Sequence, residues 1–192
     1  MHIPLNIVMD TIKTRRSIRS YSHREIPRGI LEAIIDAGNW APTGANMQPW
    51  RFVVVQDAAF RQKLSDIAIP KYWQWYEKAG EKWQEIVKPV NNIHDDPVYY
   101  DAPVIVFVIG KTIYTYHQDC AMVCQNMMLA AWSFGIGSCW VGFGQMALQD
   151  DEVKAALELQ DNEKVFGPIL LGYPGEDMVH PPEKKAPVIT WI

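Results

Sequence analysis

Residues 41 to 55 read Ala-Pro-Thr-Gly-Ala-Asn-Met-Gln-Pro-Trp-Arg-Phe-Val-Val-Val. The first ten residues are rich in the types that form turns, whereas the last five include a β-branched run typical of a strand. We predict a turn that leads into a strand, most simply a central one. The turn presents Asn46 and Gln48 just before that strand, where loops often form ligand pockets. On composition alone a plain connecting turn is the simplest interpretation, but carboxamides can also bind the edge of a planar heterocycle.

A second informative stretch, residues 14 to 19, reads Thr-Arg-Arg-Ser-Ile-Arg. Arginines at a helix end need no ligand, since a cation there opposes the helix dipole and contributes about 0.3–1 kcal/mol. Three arginines around a serine repel one another, however, unless an anion lies between them. Guanidinium groups and a hydroxyl match phosphate oxygens, so we favour a phosphate site. A phosphate site together with a loop that binds a heterocycle suggests a nucleotide, and here a flavin.

The bulk composition is that of one globular domain spanning residues 1 to 192. The chain is 48% hydrophobic and 21% charged, and no apolar run approaches the roughly 18 residues of a membrane span. A net charge of -4 argues against a nucleic-acid partner, which would need a basic face. Three cysteines cannot all pair within the chain, and no secretory signal is visible, so we expect a cytoplasmic protein with reduced thiols.

Apolar spacing predicts helices and strands without strict alternation, which indicates an α+β fold. The predicted helices cover residues 5 to 14, a segment beginning at Pro27, a segment capped by Asp57, residues 117 to 134, and a segment beginning at Asp150. The predicted strands cover residues 51 to 56, 103 to 110 and 165 to 171, and residues 138 to 143 are expected to form a short strand or an extended loop. The helix over residues 117 to 134 is nearly apolar on all sides and needs burial all round, which favours a homodimer.

Residues 70 to 100 differ from their surroundings, because aromatic side chains stand among charges and prolines. We interpret this segment as a mobile aromatic flap. Any one tryptophan is more commonly a core or dimer contact, but several together suit a lid that stacks on a flat substrate. The residues expected to bind substrate are Tyr72, Trp73, Trp75 and Tyr76.

Other chemical interpretations are weaker. His117, Cys120 and Cys124 have a spacing compatible with a metal, but one Cys-x3-Cys pair without a second is poor evidence for zinc, so we expect no metal. Cys139 has no evident His and carboxylate partners that would make it a nucleophile. The glycines of residues 135 to 144 follow a helix and lack the Gly-x-Gly-x-x-Gly spacing of a dinucleotide-binding loop.

The chain resembles the nitroreductase family of FMN-dependent oxidoreductases over nearly its whole length. No single motif is specific, but their order and spacing are. The motifs that carry the resemblance are the Arg-Arg-Ser-Ile-Arg run at 15 to 19, residues 41 to 55, Asp-Ala-Pro at 101 to 103, Gly-Ile-Gly-Ser-Cys-Trp at 135 to 140, Gly-Tyr-Pro at 172 to 174, and Lys-Lys-Ala-Pro at 184 to 187.

The resemblance implies a central mixed or antiparallel sheet flanked by helices, and an intertwined homodimer with two FMN sites lined by both chains. By motif position it assigns the phosphate to Arg15, Arg16 and Ser17, and the pyrimidine side of the ring to Arg19. It assigns further ring contacts, from the partner chain, to Pro42, Thr43, Gly44, Asn46 and Gln48. Trp140, Val141 and Gly142 are expected against the other part of the ring, and Lys184 and Lys185 are expected to close the phosphate site.

The implied activity is hydride transfer from NAD(P)H through flavin N5 to nitroaromatic, quinone or flavin acceptors by a ping-pong mechanism. No acid or base side chain is required, so none is named as catalytic. The tail carries Lys185 where the family commonly has an arginine, and the family's Asn and Lys before the next strand have no counterpart in residues 91 to 100. The alternatives are a specialised flavoenzyme such as a reductive dehalogenase or a dehydrogenase, a non-catalytic FMN-binding protein, or a metal-binding module.

Overall fold

The computed structural model describes residues 6–91, 95–175 and 183–192. The helices are α1 Ile7–Thr14, α2 Arg28–Asn39, α3 Ala58–Lys78, α4 Glu81–Asn91, α5 Tyr116–Ser133 and α6 Asp151–Ala156. The strands are β1 Trp50–Val55, β2 Val104–Lys111, β3 Gly137–Trp140 and β4 Glu163–Gly172. Two 3-10 segments, Gly44–Asn46 and Gly142–Gln149, follow α2 and β3. The predicted helices and strands are thus confirmed within a few residues, except that α3 continues into the segment predicted as a flap and α4 lies within that segment. Residue 5 of the first predicted helix lies outside the described residues.

The four strands form one antiparallel sheet in the order β1-β2-β4-β3. This arrangement confirms the α+β fold with an antiparallel sheet flanked by helices. The prediction of a central strand at residues 51 to 56 is wrong, because β1 pairs only with β2 in the described sheet and lies at its edge. Helices cover both faces of the sheet, so an edge strand needs the same β-branched side chains as a central one.

Two apolar cores lie on opposite faces of the sheet. Alternate residues of β2 point to opposite faces, so Ile105, Phe107 and Ile109 contribute to one core and Val106 and Val108 to the other. The first core lies under α3, α6 and the 3-10 helix that follows β3, and the second lies under α2 and α5. The chain therefore packs as helices, sheet and helices in three layers.

Local capping explains where several helices begin. The Asp57 carboxylate accepts the backbone N–H of Phe60 at 2.7 Å and starts α3, as predicted. Asp150 accepts the N–H groups of Glu152 and Val153 and starts α6. Pro27 directly precedes α2. Because proline has no backbone N–H, it avoids leaving an unpaired donor at the start of the helix. No helix in the described ranges has the length and apolarity to cross a bilayer.

Within a single chain, α5 is buried on one side only. Cys120, Val123 and Met127 are fully buried, whereas Ala121 and Gln125 are exposed on the opposite side. The expectation of burial all round therefore does not hold for the chain alone. Small and amide side chains occupy the exposed side of α5. Because none of them is charged, the sequence pattern does not mark that side as exposed.

The segment predicted as an aromatic flap is helical over most of its length. It comprises the last turns of α3, all of α4 and the approach to β2, while residues 92 to 94 lie outside the described part of the chain. Tyr72 and Tyr99 are each only 1% exposed and belong to the first core. Part of this segment is therefore structural, and its mobility stays a prediction.

Gly38 provides a test of the contact between α2 and α5. A Cβ atom at this position would lie 2.6 Å from Met127 Cγ and 3.3 Å from Val123 Cγ1, whereas a Cβ at Gly29 of the same helix would meet nothing within 4 Å. We expect Gly38→Ala to lower the free energy of unfolding by about 1–3 kcal/mol through overpacking. Gly29→Ala is the matched control and should be neutral or slightly stabilising. Urea denaturation measures both, and equal effects of the two substitutions would contradict this packing.

Candidate functional site

The chain that follows α1 runs along the β3 edge of the sheet. Ser17 forms a bridge with Ser138, and the Ile18 N–H donates to the Ser138 carbonyl oxygen at 3.0 Å. Gly137 makes this approach possible, because a Cβ there would lie 2.7 Å from Ile18 Cγ1. The Arg-Arg-Ser-Ile-Arg motif is therefore fastened to β3 by backbone pairing and close packing.

The arginines of this motif concentrate positive charge at the β3 edge. Arg16 donates to the carbonyl oxygens of Lys13 and Arg15, both at 2.8 Å, and so also completes the end of α1. Burial raises the pKa of the Cys139 thiol, and the positive charges of Arg19 and Arg15 offset part of that rise. None of the ion pairs found in the described ranges involves an arginine of this motif. This donor set, which has no carboxylate partner among the described residues, fits a phosphate group.

A cavity of about 220 Å³ opens beside the motif. It contains one charged side chain, Arg19, among aromatic and aliphatic walls. Its lining residues are Arg19, Tyr72, Ile86, Val87, Pro97, Val98, Tyr100, Trp140, Val141, Gly142 and Phe143. The structure thus brings Arg19 together with Trp140, Val141 and Gly142, the residues expected against the other part of the ring, and this pocket suits a flat ring with a polar edge.

Tyr100 contacts Arg19, the charged residue that lines this cavity. The Arg19 guanidinium lies 5.9 Å from the centre of the Tyr100 ring, within reach of a cation–π contact, and the two side chains also share a hydrogen bond. Burial, together with the nearby Cys139, raises the pKa of Tyr100 to about 12, although Arg19 acts to lower it. The phenol therefore remains protonated at neutral pH. Tyr100 also has a positive φ of 54°, a conformation unusual for an aromatic residue.

Of the four predicted substrate residues, only Tyr72 lines the cavity. Trp75 packs against Phe143 with ring centres 4.6 Å apart, while Trp73 and Tyr76 contact the Tyr72 ring. These three therefore support the wall from behind. The sequence reasoning missed the aliphatic residues of α4 and residues 97 and 98, and no motif marks them. Tyr100 could have been found, since it directly precedes the Asp-Ala-Pro motif.

The carboxamide loop, residues 42 to 48, lies at the other edge of the sheet. Its end is attached to the start of β1, where the Lys111 N–H donates to the Pro49 carbonyl oxygen at 2.7 Å. Three strand spacings of about 4.8 Å, roughly 14 Å in all, separate β1 from β3. Within one chain the structure therefore does not bring Asn46 and Gln48 together with Arg19.

The carboxamide loop has an unusual backbone. Ala45, Asn46 and Gln48 have φ values of 49°, 56° and 45°, and each such non-glycine residue costs about 1–3 kcal/mol. The Gln48 amide donates to the Asn46 side-chain oxygen at 3.0 Å, so the two carboxamides lie against each other. Pro42, Asn46 and Gln48 are exposed, whereas Thr43 and Gly44 are half-buried. The loop therefore exposes the Asn46 and Gln48 carboxamides at this edge of the sheet.

The remaining predicted residues are placed as follows. Lys184 and Lys185 are exposed in an extended tail without regular secondary structure, and their role stays a prediction. Cys120 and Cys124 are fully buried, and burial raises the pKa of each thiol to about 12. His117 is exposed and packs against Phe166. Over the described ranges, no group of three His, Cys, Asp or Glu residues is arranged to hold a metal ion.

A model of the nitroreductase family matches residues 12–173. The chain belongs to the nitroreductase family. This membership confirms the resemblance that the motifs indicate, and the matched residues include both the arginine motif and the carboxamide loop.

Individual relatives of this nitroreductase-family chain differ in function. A protein of Archaeoglobus fulgidus, described as a candidate NADH dehydrogenase/NAD(P)H nitroreductase, is 33% identical over 166 residues, which cover 86% of this chain and 84% of that protein. The crystal structure of a Bacteroides fragilis nitroreductase with bound FMN is 32% identical, with a TM-score of 0.79, and covers 98% of this chain and 100% of that one. An iodotyrosine deiodinase of Haliscomenobacter hydrossis is 26% identical over 179 residues, which cover 87% of this chain and 79% of the deiodinase.

Proposed function

We propose that the chain is an FMN-dependent oxidoreductase that carries reducing equivalents from NADH or NADPH to a flat acceptor such as a nitroaromatic, a quinone or a flavin. The observation that carries the proposal is the arginine motif, which has no carboxylate partner among the described residues and borders a cavity with aromatic walls. The names of the Archaeoglobus and Bacteroides relatives support the same donor and cofactor.

The residues of the β3 edge fit the two ends of FMN. Arg15, Arg16 and Ser17 supply guanidinium and hydroxyl donors for the phosphate, and Arg19 supplies a donor for the ring. Trp140, Val141 and Gly142 border the cavity, but the Val141 N–H already donates to the Pro168 carbonyl oxygen at 3.0 Å. We therefore expect any backbone donor to the ring to come from Trp140 or Gly142. We also propose that Lys184 and Lys185 close the phosphate site.

A bound FMN would supply the hydride chemistry, and because the nicotinamide donor and the acceptor would use the same cleft in turn, we propose a ping-pong mechanism. The protein's own contribution is to position flat molecules and to keep water away from them. Tyr72, Tyr100 and Phe143 provide aromatic surfaces for stacking, and Ile86 and Val87 of α4 cover the cavity with aliphatic groups. No acid or base side chain is assigned a catalytic role.

We propose that the working form is a homodimer in which each site takes the arginine motif from one chain and the carboxamide loop from the other. Those two halves lie on opposite edges of the sheet in a single chain. Isologous pairing of two copies exchanges equivalent surfaces, so it can complete two such sites at once. Ile7, Val8 and Ile12 of α1 and Trp191 of the tail are exposed apolar side chains that a second copy would cover. We place this enzyme in the cytoplasm, where reduced nicotinamide donors are present.

A second candidate function is reductive dehalogenation by the same site. The similarity to iodotyrosine deiodinases is the observation in its favour. In that case, residues 70 to 100 would discriminate one halogenated aromatic substrate from the general acceptors. Release of halide with NADPH or NADH would select this function, as would protection of the 70 to 100 segment from protease by one substrate only.

The visible spectrum of the protein as isolated tests the main proposal. We expect flavin absorption bands, and we expect NADH or NADPH to bleach them in the absence of oxygen. Addition of a quinone or a nitroaromatic should then restore the bands. A bound flavin that neither nucleotide reduces would indicate FMN binding without turnover, and FMN-saturated protein that oxidises neither nucleotide with any acceptor would contradict the proposed activity.

A further inference from the structure

A buried carboxylate lies beneath the carboxamide loop. Asp119, near the start of α5, is only 2% exposed. Its Oδ2 atom accepts hydrogen bonds from the hydroxyls of Thr43 at 3.0 Å and Thr115 at 2.8 Å. No Lys, Arg or His in the described ranges forms an ion pair with it. Burial of a carboxylate costs free energy unless the carboxylate is hydrogen-bonded. The two threonine hydroxyls therefore explain how Asp119 can be buried in a largely apolar helix.

The hydrogen bond to Asp119 fixes the direction of the Thr43 hydroxyl. Because Thr43 donates its proton to the carboxylate, its oxygen is left as an acceptor for the Gln48 backbone N–H, at 3.3 Å. The chain Gln48 to Thr43 to Asp119 therefore connects both ends of the loop to α5. Gly44 also approaches the Thr115 side chain so closely that a Cβ there would lie 3.0 Å from its hydroxyl oxygen.

The loop needs such an anchor because its backbone is strained. Three of its residues occupy the left-handed region, and conformations of this kind persist only where the surroundings hold them. The residues in between are exposed and have little core packing to restrain them. The bond from Thr43 to Asp119 is a contact between residues 76 positions apart, and it ties the loop to the buried side of α5.

We propose that Asp119 is a positioning residue that holds the carboxamide loop in the conformation that binds the flavin ring. The inference rests on the proposed FMN function. Asp119 touches neither cofactor nor substrate in this scheme. It acts through Thr43, so that Asn46 and Gln48 are already oriented before the cofactor arrives and less ordering is required upon binding.

The affinity for FMN, measured by equilibrium dialysis of the apoprotein, tests this inference. We expect Asp119→Asn and Thr43→Val each to weaken FMN binding about tenfold, since one charge-assisted hydrogen bond contributes on that scale. Thr43→Ser keeps the hydroxyl and should restore most of the affinity. The double variant should bind FMN little more weakly than either single variant, because both changes act on the same Thr43–Asp119 bond.

Two further measurements separate positioning from a general loss of structure. Hydrogen exchange of the apoprotein should quicken in residues 42 to 50 of Asp119→Asn, while exchange in β2 stays as in the unmodified protein. Asp150→Asn, the same chemical change at the cap of α6, should leave FMN affinity unchanged. Asp119→Asn that binds FMN as tightly as the unmodified protein, or additive effects of the two single changes, would overturn the inference. Failure of the unmodified protein to bind FMN would instead overturn the proposed function.

Discussion

Alanine at both Arg15 and Arg16 is expected to weaken FMN binding at least about 100-fold, since each hydrogen bond to a charged group contributes about 1.5–3 kcal/mol. The two guanidinium groups stand at the end of α1, where no carboxylate in the described ranges neutralises them. Titration of the apoprotein with FMN measures the loss directly. The loss should shrink as salt is added, because salt already weakens the exposed part of the attraction in the unmodified protein.

Arg16 requires a separate control, because it also donates to two carbonyl oxygens at the end of α1. Arg16→Ala alone should therefore lower both FMN affinity and thermal stability, whereas Arg15→Ala should lower FMN affinity with little effect on stability. Arg28→Ala removes an arginine from an exposed ion pair with Glu32 and should change neither property. FMN affinity that is the same in the Arg15 and Arg16 variants as in the unmodified protein would refute the phosphate assignment.

Mixing two variants that each lack one half of the site tests the proposed homodimer. Subunits with Arg15→Ala and Arg16→Ala lack the phosphate half of the site, and subunits with Asn46→Ala and Gln48→Ala lack the ring half. If each site is built from two chains, a mixed dimer contains one intact site and one doubly damaged site. Co-refolded mixtures should then bind FMN tightly, although neither parent does. A mixture that binds no better than its parents would place both halves of the site in the same chain.

Replacement of Glu163 with glutamine is expected to lower the free energy of unfolding by about 2–3 kcal/mol, since loss of one partner leaves the other partly buried without its counter-charge. Arg51 donates to both carboxylate oxygens of Glu163, at 2.9 and 2.7 Å, and also to the carbonyl oxygens of Leu157 and Glu158. The Glu163 side chain is only 3% exposed, and that of Arg51 is 33% exposed, so the expected loss is less than that of a fully buried pair. Urea denaturation at pH 7 gives the value.

The Arg51–Glu163 ion pair should also make the free energy of unfolding depend on pH. The hydrogen bond from Arg51 is the main cause that holds the pKa of Glu163 below its usual value, against the opposing effect of burial. A carboxyl group whose pKa is lower in the folded state than in the unfolded state stabilises the fold at pH values above its unfolded-state pKa, which is about 4.3 for Glu. This stabilisation disappears as the pH falls through the folded-state pKa. The difference in the free energy of unfolding between the unmodified protein and Glu163→Gln should therefore become smaller below about pH 4. Glu32→Gln, which removes the acid of the exposed Arg28–Glu32 pair, should have little effect on the free energy of unfolding at pH 7 or below about pH 4.

Much of the fold could be predicted because its signals are local. Asp57 and Asp150 begin their helices, as predicted, through bonds to N–H groups two or three residues away. The resemblance, and not a local signal, leads us to expect Arg19 and residues 140 to 142 at one site, and they do line the same cavity. Ile86 and Val87 could not be assigned to it, because they line the cavity only through the tertiary placement of α4, and nothing in their spacing marks a ligand.

The Arg-Arg-Ser-Ile-Arg motif and residues 41 to 55 therefore show what the sequence determined by itself, namely a cluster of guanidinium and hydroxyl donors, a pair of carboxamides, and a turn followed by a strand. These properties depend on side-chain chemistry and on backbone preferences over a few residues. Tertiary structure alone decided that β1 is an edge strand, that the two motifs lie on opposite edges of the sheet, and that Asp119 holds Thr43 from 76 positions away. Strand order and buried hydrogen bonds join distant parts of the chain, so they follow from the packing of the whole molecule.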